Sequence, residues 1–245
     1  MKVVMLGATR GMGRALARRM AEQKASLFLL GRDALELERS AKDLELHGAS
    51  GEVGHAQCDL LAPAGFEAAL EQADAALGGF DTVVVTAGLF ASQDALESDP
   101  RLCADLLSAD FTYTILFCEA ARRRLLARGG GTLCVFSSVA GERGRKPVIL
   151  YGAAKAGLTH YLEGLDHKFR GQGLVTVTVK PGFVRTAMTE GLQAPPFAGE
   201  PDQVAATVLR AIERGVPVVY APGIWALVML AIRWLPRFAM RRIGF

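Results

Sequence analysis

The sequence predicts an α/β fold: a doubly wound parallel sheet of about seven strands with helices on both faces. Three observations predict it. Short apolar runs rich in β-branched residues alternate with stretches of helical periodicity, which implies right-handed strand–helix–strand crossovers. The chain opens on a strand, a glycine-rich turn and a helix in immediate succession. Its 245 residues, 51% hydrophobic and 22% charged, suffice for one large core and leave no room for a second full domain.

Lys2-Val3-Val4-Met5-Leu6 reads as a strand over 2–6, and Gly7-Ala8-Thr9-Arg10-Gly11-Met12-Gly13 turns it into a helix over 12–24. Leu27-Phe28-Leu29-Leu30 lies in a strand over 26–30, before a helix over 33–47 that Asp33 can N-cap. A strand over 52–57 leads into Cys58-Asp59-Leu60 and a helix over 63–77. The strand over 81–85 runs into Thr86-Ala87-Gly88 and then one long helix over 95–127. Val135-Phe136-Ser137 closes a strand over 132–137, and Tyr151-Gly152-Ala153-Ala154-Lys155 opens a helix over 149–170. A strand over 174–180 ends at Pro181-Gly182, a helix covers 201–214 and a last strand 217–220. In such sheets ligands gather at the carboxyl ends of the strands, where Gly7, Gly31, Asp59, Gly88, Ser138 and Pro181 all fall. The folded domain is bounded at residues 1–222, with 223–245 as an apolar and basic tail.

Three residues carry chemistry. Tyrosine titrates near pH ~10, but an ammonium beside it favours the phenolate and makes proton exchange with an alcohol or ketone feasible. Tyr151 and Lys155, four apart on a helix, share a face. Ser138, arriving from a strand end, is placed to hold the substrate oxygen against that phenol. At the other end of the chain, glycines let backbone N–H groups approach a pyrophosphate, and the helix start adds its positive dipole end.

The glycine spacing, Gly-x-x-x-Gly-x-Gly, differs from the common Rossmann Gly-x-Gly-x-x-Gly and resembles that of the short-chain dehydrogenase/reductase family. The resemblance covers roughly residues 1 to 220, with the motifs in sequence order. It implies a Rossmann-like oxidoreductase acting on CH–OH groups, with Ser138, Tyr151 and Lys155 as catalytic residues. Gly7, Gly11 and Gly13, with Thr9, Arg10 and Met12 between them, would hold the phosphates of a nicotinamide dinucleotide. Asp59 would meet the adenine, and Ala87 and Gly88 match the end of an Asn-Asn-Ala-Gly motif. Pro181, Gly182, Val184 and Thr186 would border the nicotinamide, while Tyr151 and Lys155 would also hold its ribose. Two departures stand out. Asp110 takes the place of a catalytic asparagine, keeping an acceptor for an ordered water but losing the amide donor and adding a charge near Lys155. Val85 and Thr86 replace the two asparagines, which predicts a weaker brace within the sheet.

The position after the second strand meets the adenosine ribose, where an acid would select NAD by accepting from its 2′-hydroxyl. Here Gly31 is followed by Arg32, and Arg10 stands in the glycine turn. Two guanidinium groups suit a doubly charged 2′-phosphate, so NADP (NADPH) is expected over NAD. In the alternative, Arg32 caps its strand in solvent and Asp33 only starts the next helix.

A net charge of +3 gives no argument for nucleic acid. Cys58, Cys103, Cys118 and Cys134 lack metal-ligand spacing and read as buried thiols of a reducing compartment. His47, His55, His160 and His167 form no ligand cluster, so no metal is expected. The chain enters its first strand without a basic-then-apolar leader, and a cytoplasmic protein is expected.

Between Ala187 and Pro201 the periodicity lapses. By analogy with the family this stretch is a substrate lid, and Phe183, Met188, Leu192 and Phe197 suit an apolar substrate. Ile224 to Leu235 is almost continuously apolar, Pro236 interrupts it, and Arg237, Arg241 and Arg242 follow. Such a segment is too short to span a bilayer, which takes ~20 residues, but it suits peripheral contact with a membrane surface. Packing against another subunit of a homodimer or homotetramer is the alternative cover. The expected function is NADPH-dependent reduction of an apolar or lipid-linked ketone, or the reverse oxidation. A keto-sugar reductase of a polyprenyl-phosphate-linked substrate and a non-catalytic NADP(H)-sensing protein remain as alternatives.

Overall fold

The computed structural model describes residues 1–244. Its sheet is built outward from β1 (Lys2–Leu6), which is flanked by β2 (Ser26–Gly31) and β4 (Thr82–Val85). All seven strands are parallel, in the order β3-β2-β1-β4-β5-β6-β7, where β3 is Gly54–Gln57, β5 Gly131–Phe136, β6 Leu174–Pro181 and β7 Val218–Ala221. The strand order reverses between β1 and β4. A crevice opens outside their carboxyl ends at such a point, and that crevice organises the site.

The central strands β1, β2 and β4 are predominantly apolar and buried because both faces are covered. Val3 and Met5 point into one core with α1 (Gly11–Glu22), α2 (Ala34–Leu46) and α8 (Pro201–Arg214); Val4 and Leu6 point into the other. That second core packs the sheet against α3 (Phe66–Leu77), α6 (Thr114–Ala127) and α7 (Ile149–Phe169), with Phe66 meeting Phe117 edge-on at 5.4 Å. The alternation of one strand therefore divides the protein into two layers of helix.

The predicted helix over 95–127 is not continuous. It is split into α4 (Gln93–Ser98), α5 (Pro100–Leu107), a π-helical turn over Ser108–Tyr113, and α6. Pro100 cannot continue a helix from α4, and Asp99 restarts it by accepting from Arg101 N at 2.9 Å and Leu102 N at 3.1 Å. The π turn is secured by the Thr114 hydroxyl, which donates to Ala109 O at 2.6 Å. Asp110 sits in that turn, an arrangement that frequently marks a functional site.

The segment after β6 leaves and returns through adjacent points. Gly199 N donates to Phe183 O at 2.8 Å, and Arg185 N to Gly199 O at 2.9 Å, so the predicted lid is a closed loop tied at its base. The tail forms α9 (Ile224–Trp234) and α10 (Arg237–Arg242), with Pro236 between them. Trp225, Met229 and Ile232 of α9 bury themselves against Val139. No helix among the described residues is long and apolar enough to cross a membrane.

Candidate active site

β1 delivers the chain to a turn that only glycine can make. Gly7 has φ +101° and Gly11 φ +53°. A Cβ on Gly7 would sit 2.6 Å from Ala87 N, and one on Gly13 would collide with Gly7 O. The fit is closed from below by Thr86, whose hydroxyl donates to Gly7 O at 2.9 Å and lies 3.3 Å from Leu6 O. The expected weakening of this brace is therefore corrected: a hydroxyl ties β4 to the turn in place of the amide. No side chain caps the start of α1, so its first N–H groups face the crevice free for an anion.

Beside the turn lies a cavity of about 170 Å³ lined by Gly7, Thr9, Arg32, Asp59, Ala87 and Gly88, among others. The cavity brings together Gly7 and Thr9 of the turn expected to hold the phosphates, Arg32 and Asp59 expected at the adenosine end, and Ala87 and Gly88 of the segment after β4. Asp59 is held there by accepting from Leu61 N at 3.0 Å. Asp33 is spent capping α2, accepting from Leu35 N at 3.0 Å and Glu36 N at 3.1 Å. Arg10 and Arg32 are both exposed. Arg32 and Asp59 both line this cavity, while Arg10 stands in the glycine turn and Asp33 is engaged at the start of α2.

Ser138 follows β5, and its Oγ accepts from Ala140 N at 3.1 Å, which leaves the hydroxyl proton free to donate. Its neighbour Ser137 bonds Lys155 O at 3.0 Å and Thr159 Oγ1 at 2.7 Å, pinning α7 to the end of β5. Tyr151 is stacked edge-on by Phe90 with ring centroids 5.2 Å apart. The Lys155 ammonium stands 5.6 Å from the centre of the Tyr151 ring and 3.4 Å from Phe136 O. Behind it, Asp110 Oδ2 approaches Lys155 Nζ at 3.2 Å, and the Leu89 amide donates to Asp110 Oδ1 at 2.6 Å.

The electrostatics depart from the expectation of a phenol made acidic by its lysine. Burial pushes the Tyr151 phenol up, and the Asp110 charge adds to it. Lys155 and the Ser138 hydroxyl pull down, but the net direction is above the usual value. For Lys155 burial works against the ammonium, yet the Asp110 and Tyr151 charges raise it overall. Asp110 thus offsets part of what Lys155 does to the phenol. Its carboxylate meets Lys155 directly.

On the outer side of Tyr151 a second, larger cavity of about 560 Å³ opens, lined by Ser138, Tyr151, Phe183, Leu192, Trp225 and Ile232 among others. Met12, Pro181, Gly182, Val184 and Thr186 reach its inner wall, so the glycine turn and the segment after β6 meet where a nicotinamide would lie. A Cβ on Gly11 would be 3.4 Å from Thr186 Cγ2, and one on Gly182 would strike the Trp225 indole. Trp225 Nε1 donates to Phe197 O at 3.2 Å, binding α9 to the lid loop.

Sequence reasoning passed over several residues that build this site. Arg145 lines the large cavity, in a basic run that reads as solvated surface. Glu142 is almost closed to solvent and bridges Lys180 of β6 to Arg233 of α9, the latter at 3.3 Å. Its partners lie 38 and 91 positions away, so no local pattern could have announced it. Phe90 and the Leu89 amide belong to a loop with no motif of its own.

The comparisons with known proteins fit this geometry. The family model described as short chain dehydrogenase matches residues 1–196. An uncharacterized oxidoreductase of Mycobacterium tuberculosis is 35% identical over 244 residues, covering 98% of this chain and 96% of its own. A carbonyl reductase family member 4 of Xenopus tropicalis is 26% identical, covering 84% and 89%. Among solved structures, a single-substitution variant of an actinorhodin polyketide ketoreductase with NADPH superposes with a TM-score of 0.80 at 22% identity, covering 89% of this chain and 95% of its own.

Proposed function

This chain belongs to the short-chain dehydrogenases and is an NAD(P)-dependent oxidoreductase of carbonyl and CH–OH groups, and from that premise we propose that it uses NADPH to reduce an apolar or lipid-linked ketone. One observation carries the reading. Ser138 and Tyr151 lie together on the wall of an apolar cavity whose inner end is the Gly7–Gly13 turn and the Pro181–Thr186 segment.

When bound, the dinucleotide supplies the hydride. The Gly7–Gly13 turn and the uncapped start of α1 would hold its pyrophosphate, Arg10 and Arg32 its 2′-phosphate, and Lys155 the ribose hydroxyls beside the nicotinamide. The NADPH in the solved polyketide ketoreductase supports this choice of cofactor. Ser138, whose oxygen already accepts from Ala140 N, keeps its proton and hydrogen-bonds through it to the substrate carbonyl oxygen. Tyr151, kept neutral by burial, delivers the proton that this oxygen takes up. Lys155 stabilises the phenolate left behind, and Asp110 holds Lys155 in place. The same groups serve the reverse oxidation. The NADPH excess of the cytoplasm, where we place the protein, favours reduction.

The reading is tested by NADPH consumption with a panel of long-chain ketones. A reductase consumes one NADPH per ketone; a cofactor sensor on this fold binds NADPH with no loss of its absorbance.

The tail adds a second element. Its inner face walls the cavity, while Leu227 and Trp234 remain 66% and 82% exposed with Leu230 and Phe238 beside them. Residues 223–245 contain Arg233, Arg237, Arg241 and Arg242 and no acid. An apolar row edged by arginines suits the surface of an anionic membrane. Replacing Leu227 and Trp234 by Glu is expected to abolish sedimentation with anionic liposomes. Sedimentation unchanged, with a homodimer or homotetramer falling apart instead, assigns the row to a subunit interface.

A further inference from the structure

Among the described residues that line the 560 Å³ cavity, Arg145 is the one charged side chain. It stands on the segment between β5 and α7, on the same wall as Tyr151 and Ser138. Its Nε is closed to solvent and has no hydrogen-bond partner. The cations on either side of it are differently employed. Arg143 donates to Leu235 O at 2.9 Å and Lys146 to Arg241 O at 2.7 Å, so both fasten the tail. Among the described residues, the Arg145 side chain fastens nothing.

The residue is half-buried, and the buried edge of its guanidinium loses hydration that only an anion or other acceptors can replace. Burial alone lowers the affinity of Arg145 for its proton, with no acid opposing it. The rest of the wall is predominantly apolar, with Phe183, Leu192, Phe197, Trp225, Val228 and Ile232 prominent. The anions of a dinucleotide are provided for elsewhere, at the start of α1 and beside Arg32. What remains to pair with Arg145 is the other occupant of this cavity.

We propose that Arg145 is a specificity residue that binds an anionic group, carboxylate or phosphoryl, on an otherwise apolar carbonyl substrate. The inference rests on the reading of this cavity as the substrate site, and it narrows that reading to amphiphilic anions. The planar guanidinium fork suits two oxygens of either group. An uncharged ketone of the same length would leave the half-buried cation without a partner in the cavity.

The test uses decanoate, decyl phosphate and decanol as probes of the full-length protein, with binding followed by the fluorescence of Trp225 in the cavity wall. Wild type is expected to bind at least one anion at least about tenfold more tightly than decanol. Arg145→Met should remove most of that ratio, and Arg145→Lys, which keeps the charge, should retain a good part of it. The two anions distinguish a carboxylate from a phosphoryl partner. Equal affinity for all three probes, no binding of either anion, or an anion preference that survives Arg145→Met overturns the proposal. Reduction of neutral long-chain ketones, assayed separately, stands or falls with the reductase reading and not with this one. A protein that reduces such ketones yet binds decanol as well as decanoate and decyl phosphate keeps its activity assignment and loses the anion site.

Discussion

Asp110 Oδ2 lies 3.2 Å from Lys155 Nζ, with the two side chains 0% and 5% exposed. Placed in a π turn between α5 and α6, the carboxylate reaches the cation that serves the phenol. Its charge favours the ammonium and disfavours the phenolate, so for Tyr151 it works with burial and against the downward pull of Lys155.

Replacing Asp110 by Asn tests that relationship through the pH profile of reduction. Asp110 raises the Tyr151 phenol, so removing its charge lowers it. With the neutral phenol as the proposed proton donor, the alkaline pH at which reduction fails should move down, by on the order of one pH unit. A limb that stays in place, or moves up, shows that the carboxylate does not act on the phenol.

Cofactor preference follows from the end of β2. Gly31→Asp with Arg32→Ala would supply an acid for a ribose 2′-hydroxyl and remove the cation proposed to meet the 2′-phosphate. A Cβ at Gly31 would lie 3.3 Å from Leu37 Cδ2, a flexible neighbour, so the change can be accommodated. The ratio of kcat/KM for NADPH over NADH should fall by at least about tenfold, the loss of one charge-assisted contact. A ratio unmoved by the pair of substitutions places the ribose elsewhere.

Glu142 fastens the tail to the sheet. It pairs with Lys180 and Arg233, and its side chain and that of Lys180 are 5% and 9% exposed. Glu142→Ala would leave Lys180 buried and unpaired, at a cost of about 3–5 kcal/mol. Urea unfolding should record that loss. The wall formed by Trp225 and Ile232 should loosen with it, raising KM for an apolar ketone. Stability within about 0.5 kcal/mol of wild type would mean that the tail is held by its apolar face alone.

The architecture was legible wherever a local pattern carried it. Alternating strands such as Val3-Val4-Met5-Leu6, the glycine turn, and the four-residue step from Tyr151 to Lys155 each encode their geometry within one turn or pleat. The break at Pro100 was overlooked because helical periodicity on both sides of it hides a capped restart at Asp99. Thr86 read as a loss because a motif names residue types, whereas the sheet needs only a donor aimed at Gly7 O. Glu142 and Arg145 escaped for a different reason. The one acquires its role from partners distant in sequence, the other from a cavity that exists only once the lid and α9 are folded over it.

The most direct test is NADPH oxidation by Tyr151→Phe, set beside the binding of NADPH to the same variant. Turnover with a long-chain ketone should fall by at least about a thousandfold, since the phenol is the proton donor, with NADPH affinity within a few fold of wild type. Turnover close to that of the unaltered protein would contradict the assignment of Tyr151, and with it the catalytic arrangement built on Ser138 and Lys155.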